Sequence, residues 1–277
     1  MNIQLQKLRI LTESSFWDLV RRKCLTLVEF LPPTIVLITI AISWELWTHF
    51  GNVPPYILPG PLSVIKRLSS DPSYFAYHGS ITLWESMAGF ALGSTIAFIG
   101  ATLMIHSKIL ERSLFPLAVL IKVTPIIAIA PLFVIWFGFG SFPKVVIAAI
   151  IAFFPTLINA IVGFRSVQFD TLDFFHSIRA SKKEIFLRLR VPSSLPYLFA
   201  AFKISIPLSI IGAVVGEWFS GDKGLGSVII IAHNNLYMDT LLSAVLVLAI
   251  MGIVLNMIVS HVGRRMLFWH ESSHTNH

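Results

Sequence analysis

Chemistry in this chain could come from only a few groups of residues. Nine histidines are the obvious candidates for metal binding, but none stands in a His-Glu-x-x-His pair or another ligand spacing. His270, His274 and His277 form a tail, read either as solvated chain or as a weak metal binder. Gly221-Asp222-Lys223-Gly224-Leu225-Gly226 is rich in glycine and contains a lysine, yet it lacks the spacing of a phosphate loop. No Gly-x-Ser-x-Gly elbow offers a nucleophile. The single cysteine, Cys24, rules out an internal disulfide framework and reads as a small filler residue. No catalytic residue, metal site or cofactor is expected in this chain, and it is not read as an enzyme.

What remains are polar residues inside or beside long apolar runs. A central charge in such a run costs about 2.5–3.5 kcal/mol on insertion scales, so each needs a reason. Lys122 lies a turn or two from the end of its run, where snorkelling competes with a functional role. Glu85 is expected at an interface. Glu217, beside the glycine-rich connector, is placed at the mouth of a translocation pathway. Thr124-Pro125 breaks an apolar helix and is read as pathway lining or as plain helix packing.

These residues must be positioned by membrane helices. The chain has 277 residues, 55% hydrophobic and only 13% charged, with a mean hydropathy of +0.79; soluble chains carry about 25% charged residues. The net charge of +7 does not point to nucleic acid, because the basic residues are scattered between apolar runs. The expected fold is all-α and polytopic, with six transmembrane helices. Residues 1–30 form an N-terminal segment, residues 31–262 the permeation domain, and residues 263–277 a tail. Spans are expected at about Leu31 to Phe50, Ile81 to Ile105, Leu114 to Phe137, Lys144 to Val162, Leu195 to Trp218 and Met238 to Val262. The third is interrupted by Pro116, Pro125 and Pro131. Gly89 and Gly93 in the second allow close approach of a neighbour. Val228 to Ala232 is too short to span and suits a re-entrant element. With both termini on one side, that side holds fifteen Lys and Arg against four on the other. Both termini and the loop Phe164 to Pro196 are therefore expected in the cytoplasm, in a multi-pass plasma or inner membrane protein.

That loop is the longest polar interruption in the middle of the chain. It carries Arg165, Arg179, Lys182, Lys183, Arg188 and Arg190, and its apolar residues Leu172, Phe175, Ile178, Ile185 and Leu189 recur at helical spacings. The pattern predicts a short amphipathic helix, a break near Ala180-Ser181, and a second helical piece before Pro192 and Pro196. A basic surface helix lying on anionic lipid is the simplest reading of the pattern alone.

The loop also resembles the signature loop of the inner-membrane permease subunits of binding-protein-dependent ABC importers. Their consensus is Glu-Ala-Ala, three residues, Gly, nine residues, Ile-x-Leu-Pro. Here Asp173-Phe174-Phe175 falls on Glu-Ala-Ala, Arg179 on Gly, Leu189 on Ile, and Val191-Pro192 on the final pair. Further segments are similar to the nitrate, sulfonate and taurine branch, which includes relatives for pyrimidine thiamine precursors and riboflavin. They are Leu58-Pro59-Gly60-Pro61-Leu62, Ala88-Gly89-Phe90, Ile129 to Gly140, Phe153-Phe154-Pro155, and Gly216-Glu217-Trp218 with Gly224-Leu225-Gly226. Arg-Ala-Ser at 179–181 followed by Val191 to Ala201 looks closest to the pyrimidine-precursor group.

The resemblance implies a homodimeric permease for a small solute. A cytosolic ATPase, which would hold the ATP and Mg, would dock on each loop, and an extracytoplasmic solute-binding protein would deliver the solute. Asp173, Phe174, Phe175, Ile178, Arg179, Ala180, Ser181, Lys182, Leu189 and Pro192 are then the residues expected to couple the ATPase to the membrane. Arg179 in place of Gly is the main departure: Gly permits a tight break between helices, whereas Arg would demand a more helical backbone or an acidic partner. The competing reading is a stand-alone ion-coupled transporter. Such proteins show internal repeats and midplane acids, and no clear repeat is visible here.

Overall fold

A computed structural model describes residues 31–221 and 223–267. The N-terminal segment with Cys24, Asp222 and the histidine tail lie outside the described residues. Every regular element among the described residues is helical, and the chain divides into two units, Met1–Ile65 and Lys66–His277.

In the first unit, helix α1 (Leu31–Phe50 among the described residues) is the expected first span. Helix α2 (Pro61–Ser70) opens with Pro61, and its next N–H, on Leu62, donates to Glu45 Oε2 at 3.0 Å. Glu45 therefore caps a helix start.

The second unit is built on α3 (Pro72–His106), α6 (Ser141–Arg165) and α9 (Val191–Ser220). Asp71 caps α3, accepting from Ser73 Oγ at 2.8 Å and from the Tyr74 N–H at 3.1 Å. Those two bonds hold its carboxyl below the ordinary carboxylate range. Gly89 and Gly93 of α3 face Ala148 and Ala149 of α6 so closely that a Cβ on either would collide. Further along, the Phe98 and Phe164 rings meet edge to face at 5.4 Å, so the two helices run parallel. Helix α9 runs the other way: Gly216 lies against Lys144, Gly212 against Ala148, and Ser194 against Gly163. At mid-height Thr156 and Ser205 share a hydrogen bond of 3.0 Å between buried hydroxyls. Lipid tails are as apolar as leucine, so small residues that bring backbones together supply the packing energy.

Around this core stand α4 (Lys108–Val123), α5 (Ile126–Phe137), α10 (Leu225–Asn234) and α11 (Met238–Met266). Helix α11 is antiparallel to α9, with Gly263 against Phe199 and Gly252 against Ile210. Among the described residues five helices are long and apolar enough to cross a membrane, and α4 with α5 makes a sixth span if that bent pair counts as one. The expected third span is thus two helices bent by 100° at Thr124-Pro125. Pro125 cannot donate to the Ile121 carbonyl, and Thr124 ends α4 by donating both its N–H and its Oγ1 to Leu120 O, at 3.1 and 2.8 Å.

Gly93→Val should lower the thermal unfolding midpoint of the detergent-purified protein, by the equivalent of about 1–3 kcal/mol for an overpacked contact. A thermal melt against the parent protein checks this.

Candidate functional site

At the Arg165 end of the core, α6 gives way to α7 (Phe169–Ser177). The arriving chain is anchored by Arg165, whose guanidinium Nη2 contacts both carboxylate oxygens of Glu111 at 2.7 Å. Helix α7 ends in a closed turn: the Arg179 N–H donates to His176 O at 2.9 Å and the Ala180 N–H to Phe175 O at 3.0 Å. This paired bonding satisfies carbonyls that a helix end leaves bare, and it requires a left-handed residue at the first position beyond the cap. Arg179 is that residue, with φ of 57°. Arg at the consensus Gly position therefore keeps the glycine-like backbone, contrary to the more helical path expected for it. A non-glycine residue there costs on the order of 1–2 kcal/mol, offset here by the two hydrogen bonds.

Two residues later the chain starts again. Ser181 Oγ accepts from the Glu184 N–H at 3.2 Å, and Glu184 Oε2 accepts from the Ser181 N–H at 2.9 Å, a reciprocal cap on α8 (Lys182–Ile185). The expected break at Ala180-Ser181 is thus present, but the second helical piece is not separate. Through a wider π turn, Phe186–Arg190, it runs into α9, making one continuous helix from Lys182 to Ser220. Pro192 explains the widening, since it has no N–H for Arg188 O and its ring crowds that carbonyl; the Val191 N–H bonds instead to Phe186 O.

The ten loop residues singled out from the sequence fall into two groups. On α7 and the turn, Asp173, Phe174, Ile178, Arg179, Ser181 and Lys182 are exposed, Phe174 at 60% and Ile178 at 58%, while Phe175 and Ala180 are half-buried. Leu189 and Pro192 instead line a groove of about 340 Å³ with Thr171 and Tyr197.

The opposite end of the core holds a buried polar cluster. Lys144 Nζ stands 3.2 Å from Glu85 Oε1 and donates to Lys223 O at 3.2 Å, with both charged side chains at most 1% exposed. Glu217, fully buried, accepts from Thr82 Oγ1 at 2.7 Å through one oxygen and from the Gly226 N–H through the other. Thr82 Oγ1 in turn accepts from the Leu225 N–H at 2.8 Å, and His78 Nδ1 from the Gly224 N–H at 3.1 Å. Gly224 has φ of 105°, and a Cβ on it would strike the Glu217 carboxylate. Glu85, expected at an interface, is inside the protein. Glu217, expected at a pathway mouth, has both carboxylate oxygens engaged by α3 and α10. The sequence reading missed Lys144 and Thr82. A signal was available: Thr82, Glu85, Ser86, Gly89 and Gly93 recur at helical spacing, so the small-residue face and the polar face are one face.

Thr124 and Pro125 lie elsewhere, at the α4–α5 bend. Pro125 lines an open apolar groove of about 340 Å³ with Ile121, Ile126, Ile151, Phe154 and Leu208. Lys122 reaches over the Phe154 ring, 4.7 Å from its centroid, at the helix C-terminus, where a cation suits both the ring face and the helix dipole. The structure does not bring Thr124 and Pro125 together with Glu217. Among the described residues no cluster of His, Cys, Asp and Glu could hold a metal ion.

Several helices long and apolar enough to cross a membrane, packed on a core of small residues with a capped polar loop between two of them, define a multi-span membrane protein. Residues 89–267 match the family model of the binding-protein-dependent transport system inner membrane component, and the chain belongs to that family. It is 34% identical to the formylaminopyrimidine transport permease protein ThiX of Halalkalibacterium halodurans, over 72% of this chain and 79% of that one. It is 31% identical to the riboflavin transport system permease protein RibX of Chloroflexus aurantiacus, over 87% and 90% of the two chains. Its fold is similar to a chain from the inward-facing MetNI methionine ABC transporter, with a TM-score of 0.58 and 15% identity, covering 67% of this chain and 93% of that one. The chain is thus a membrane permease subunit of an ABC importer.

Arg179→Gly should stabilise the α7–α8 turn by about 1 kcal/mol, and Ser181→Ala should weaken it by about 0.5–2 kcal/mol. Hydrogen-exchange protection of the amides of Ala180 and Glu184 would show both changes.

Proposed function

We propose that α7 is the coupling helix through which a separate, ATP- and Mg-binding ATPase drives this subunit. The exposed pair Phe174 and Ile178 carries the reading: two large apolar side chains on a short helix and its cap residue, closed at that end by the turn at Arg179. A helix that follows directly on α6 and is closed by such a turn can pass on a push from a partner that grips its apolar face. Asp173, Arg179, Ser181 and Lys182 surround that face and fix orientation more than affinity. Phe175 and Ala180 close the turn from inside, and Leu189 and Pro192 shape the groove behind it. ATP hydrolysis belongs to the partner.

The surplus of Lys and Arg on this side of the chain puts α7 and both termini in the cytoplasm of an inner or plasma membrane. A second copy of the subunit completes the pathway, and an extracytoplasmic binding protein delivers solute at the opposite end. Closure of the ATPases would rock packed helices between two arrangements. The bend at Thr124-Pro125, with an open groove beside it, is where this subunit would give. Glu217 serves the permeation domain as an internal support. The relatives named for formylaminopyrimidine and riboflavin transport favour a planar nitrogen heterocycle as solute over a sulfonate or nitrate.

Uptake by vesicles carrying the permease, its ATPase and its binding protein should require internal ATP and should be competed by a pyrimidine but not by taurine. Uptake driven by an ion gradient without ATP would overturn the reading. Phe174→Asp should reduce copurification of the ATPase at least about tenfold, as expected for an apolar anchor, with membrane insertion intact; unchanged copurification would remove α7 from the contact. Pro125→Leu, which restores an N–H at the bend, should alter the uptake rate without altering the amount of protein in the membrane.

A further inference from the structure

The end of the core opposite α7 contains more charge than packing alone requires. Three ionisable side chains, Glu85, Lys144 and Glu217, come from three different helices, and all are buried. Lys144 and Glu217 bond to one place, the connector and the start of α10, and Glu85 stands against Lys144. Helix α10 begins at Leu225, directly after the connector, and its first N–H groups have no partner within the helix. Gly224, its cap residue, offers no side chain. The missing acceptors come from distant parts of the chain: Thr82 Oγ1 for Leu225, Glu217 for Gly226, and His78 Nδ1 for Gly224. On the other side of the connector, Lys144 and Ser227 Oγ both donate to Lys223 O, at 3.2 and 2.9 Å. Phe75, Leu225, Val228 and Ala244 then pack α3, α10 and α11 together below the polar layer.

We infer that Glu85, Lys144 and Glu217 are positioning residues that clamp the re-entrant helix α10 to α3, α6 and α9, so that this end of the subunit moves as one body during transport. A helix too short to span the membrane cannot hold its own place by hydrophobic length; its ends must be tied by the surrounding helices, and its backbone groups satisfied, at membrane depth. The Glu217 carboxyl at the α10 N-terminus does both, since one of its oxygens accepts an orphan N–H and the other is held by Thr82 of α3. Lys144 links the same connector to Glu85. A rigid unit opposite α7 leaves the α4–α5 bend as the part that changes shape. The clamp rests on the transport function proposed above, but its geometry can be probed without transport.

The test uses the importer in proteoliposomes, with Cys24→Ser to remove the native thiol and Ala232→Cys as a reporter on α10. Ala232 is 2% exposed, so a membrane-impermeant maleimide should label it slowly. Lys144→Met leaves two carboxylates facing each other and should raise the labelling rate at least about tenfold; Glu85→Gln combined with Lys144→Met should bring it back to within about threefold of the parent, because removing both partners of a buried pair is far milder than removing one. Thr82→Val keeps the shape of the side chain and removes one cap. It should raise labelling about threefold or more even where Lys144→Met does not assemble. The maximal uptake rate should fall in step with labelling, while half-saturation by the loaded binding protein stays unchanged. Parental labelling in Lys144→Met or Thr82→Val, or a double variant labelled as fast as Lys144→Met alone, would overturn the clamp. Raised labelling with unchanged uptake would overturn its part in transport. If the parent took up no solute while the labelling pattern held, the importer reading would fail and the clamp would stand.

Discussion

The structure depends on how closely three backbones can approach one another. Within a membrane, burying an apolar side chain against a neighbour gains little over leaving it in lipid, so helices associate through van der Waals contact and hydrogen bonds. Gly89 and Gly93 on α3, Ala148 and Ala149 on α6, and Gly212 and Gly216 on α9 remove the side chains that would keep the helices apart. Close backbones then let short polar groups meet, and the Thr156–Ser205 bond at the middle of the core is the result. A parallel pair with a third helix reversed also brings the far ends of sequence-distant elements together. Both functional regions follow from that arrangement.

The two ends of this core are built differently. At the Arg165 end the polar groups are exposed and paired locally. The turn at Arg179 and the cap at Ser181 satisfy their own backbone, so α7 stands free with Phe174 and Ile178 outward. At the opposite end the polar groups are buried and paired between different helices, Lys144 with Glu85 and Glu217 with Thr82. Burying ions is expensive and repaid only by good geometry and further hydrogen bonds, and here those bonds are made to the connector that starts α10. One end thus leaves a short helix exposed, and the other ties the start of a short helix to its neighbours. Between them the α4–α5 bend has its capping bonds satisfied within its own helix by Thr124, and it borders an open groove.

Much of this was legible in the residues. The long apolar runs, their proline breaks, the small-residue face of α3, the re-entrant run and the two-part loop all follow from composition and periodicity, which act within one element. The spacing from Asp173 to Pro192 resembles the signature loop of importer permeases, and a coupling role was what that resemblance implied. What the residues did not show was the path of the folded backbone, within single turns as well as across loops. Arg179 could take a left-handed backbone because the closed turn repays the strain through His176 and Phe175. Glu45 found the Leu62 N–H after the intervening loop doubled back. The second piece of the loop merged with α9 because Pro192 widened one turn instead of ending the helix.

From composition and periodicity came the class of molecule, an all-helical multi-span membrane protein, together with the places where its helices break. Those features arise from hydrophobic length and backbone chemistry, which are properties of a local stretch of chain. Only the folded chain decided what its buried ions do. Lys144 and Glu85 are 59 residues apart in number, and Glu217 and Thr82 are 135 apart, and no periodicity relates them. An isolated charge beside an apolar run reads equally as a pathway residue, an interfacial anchor or a structural tie, because the stretch around it is the same in all three cases. The partner decides, and the partner is supplied by the packing of α3, α6, α9 and α10.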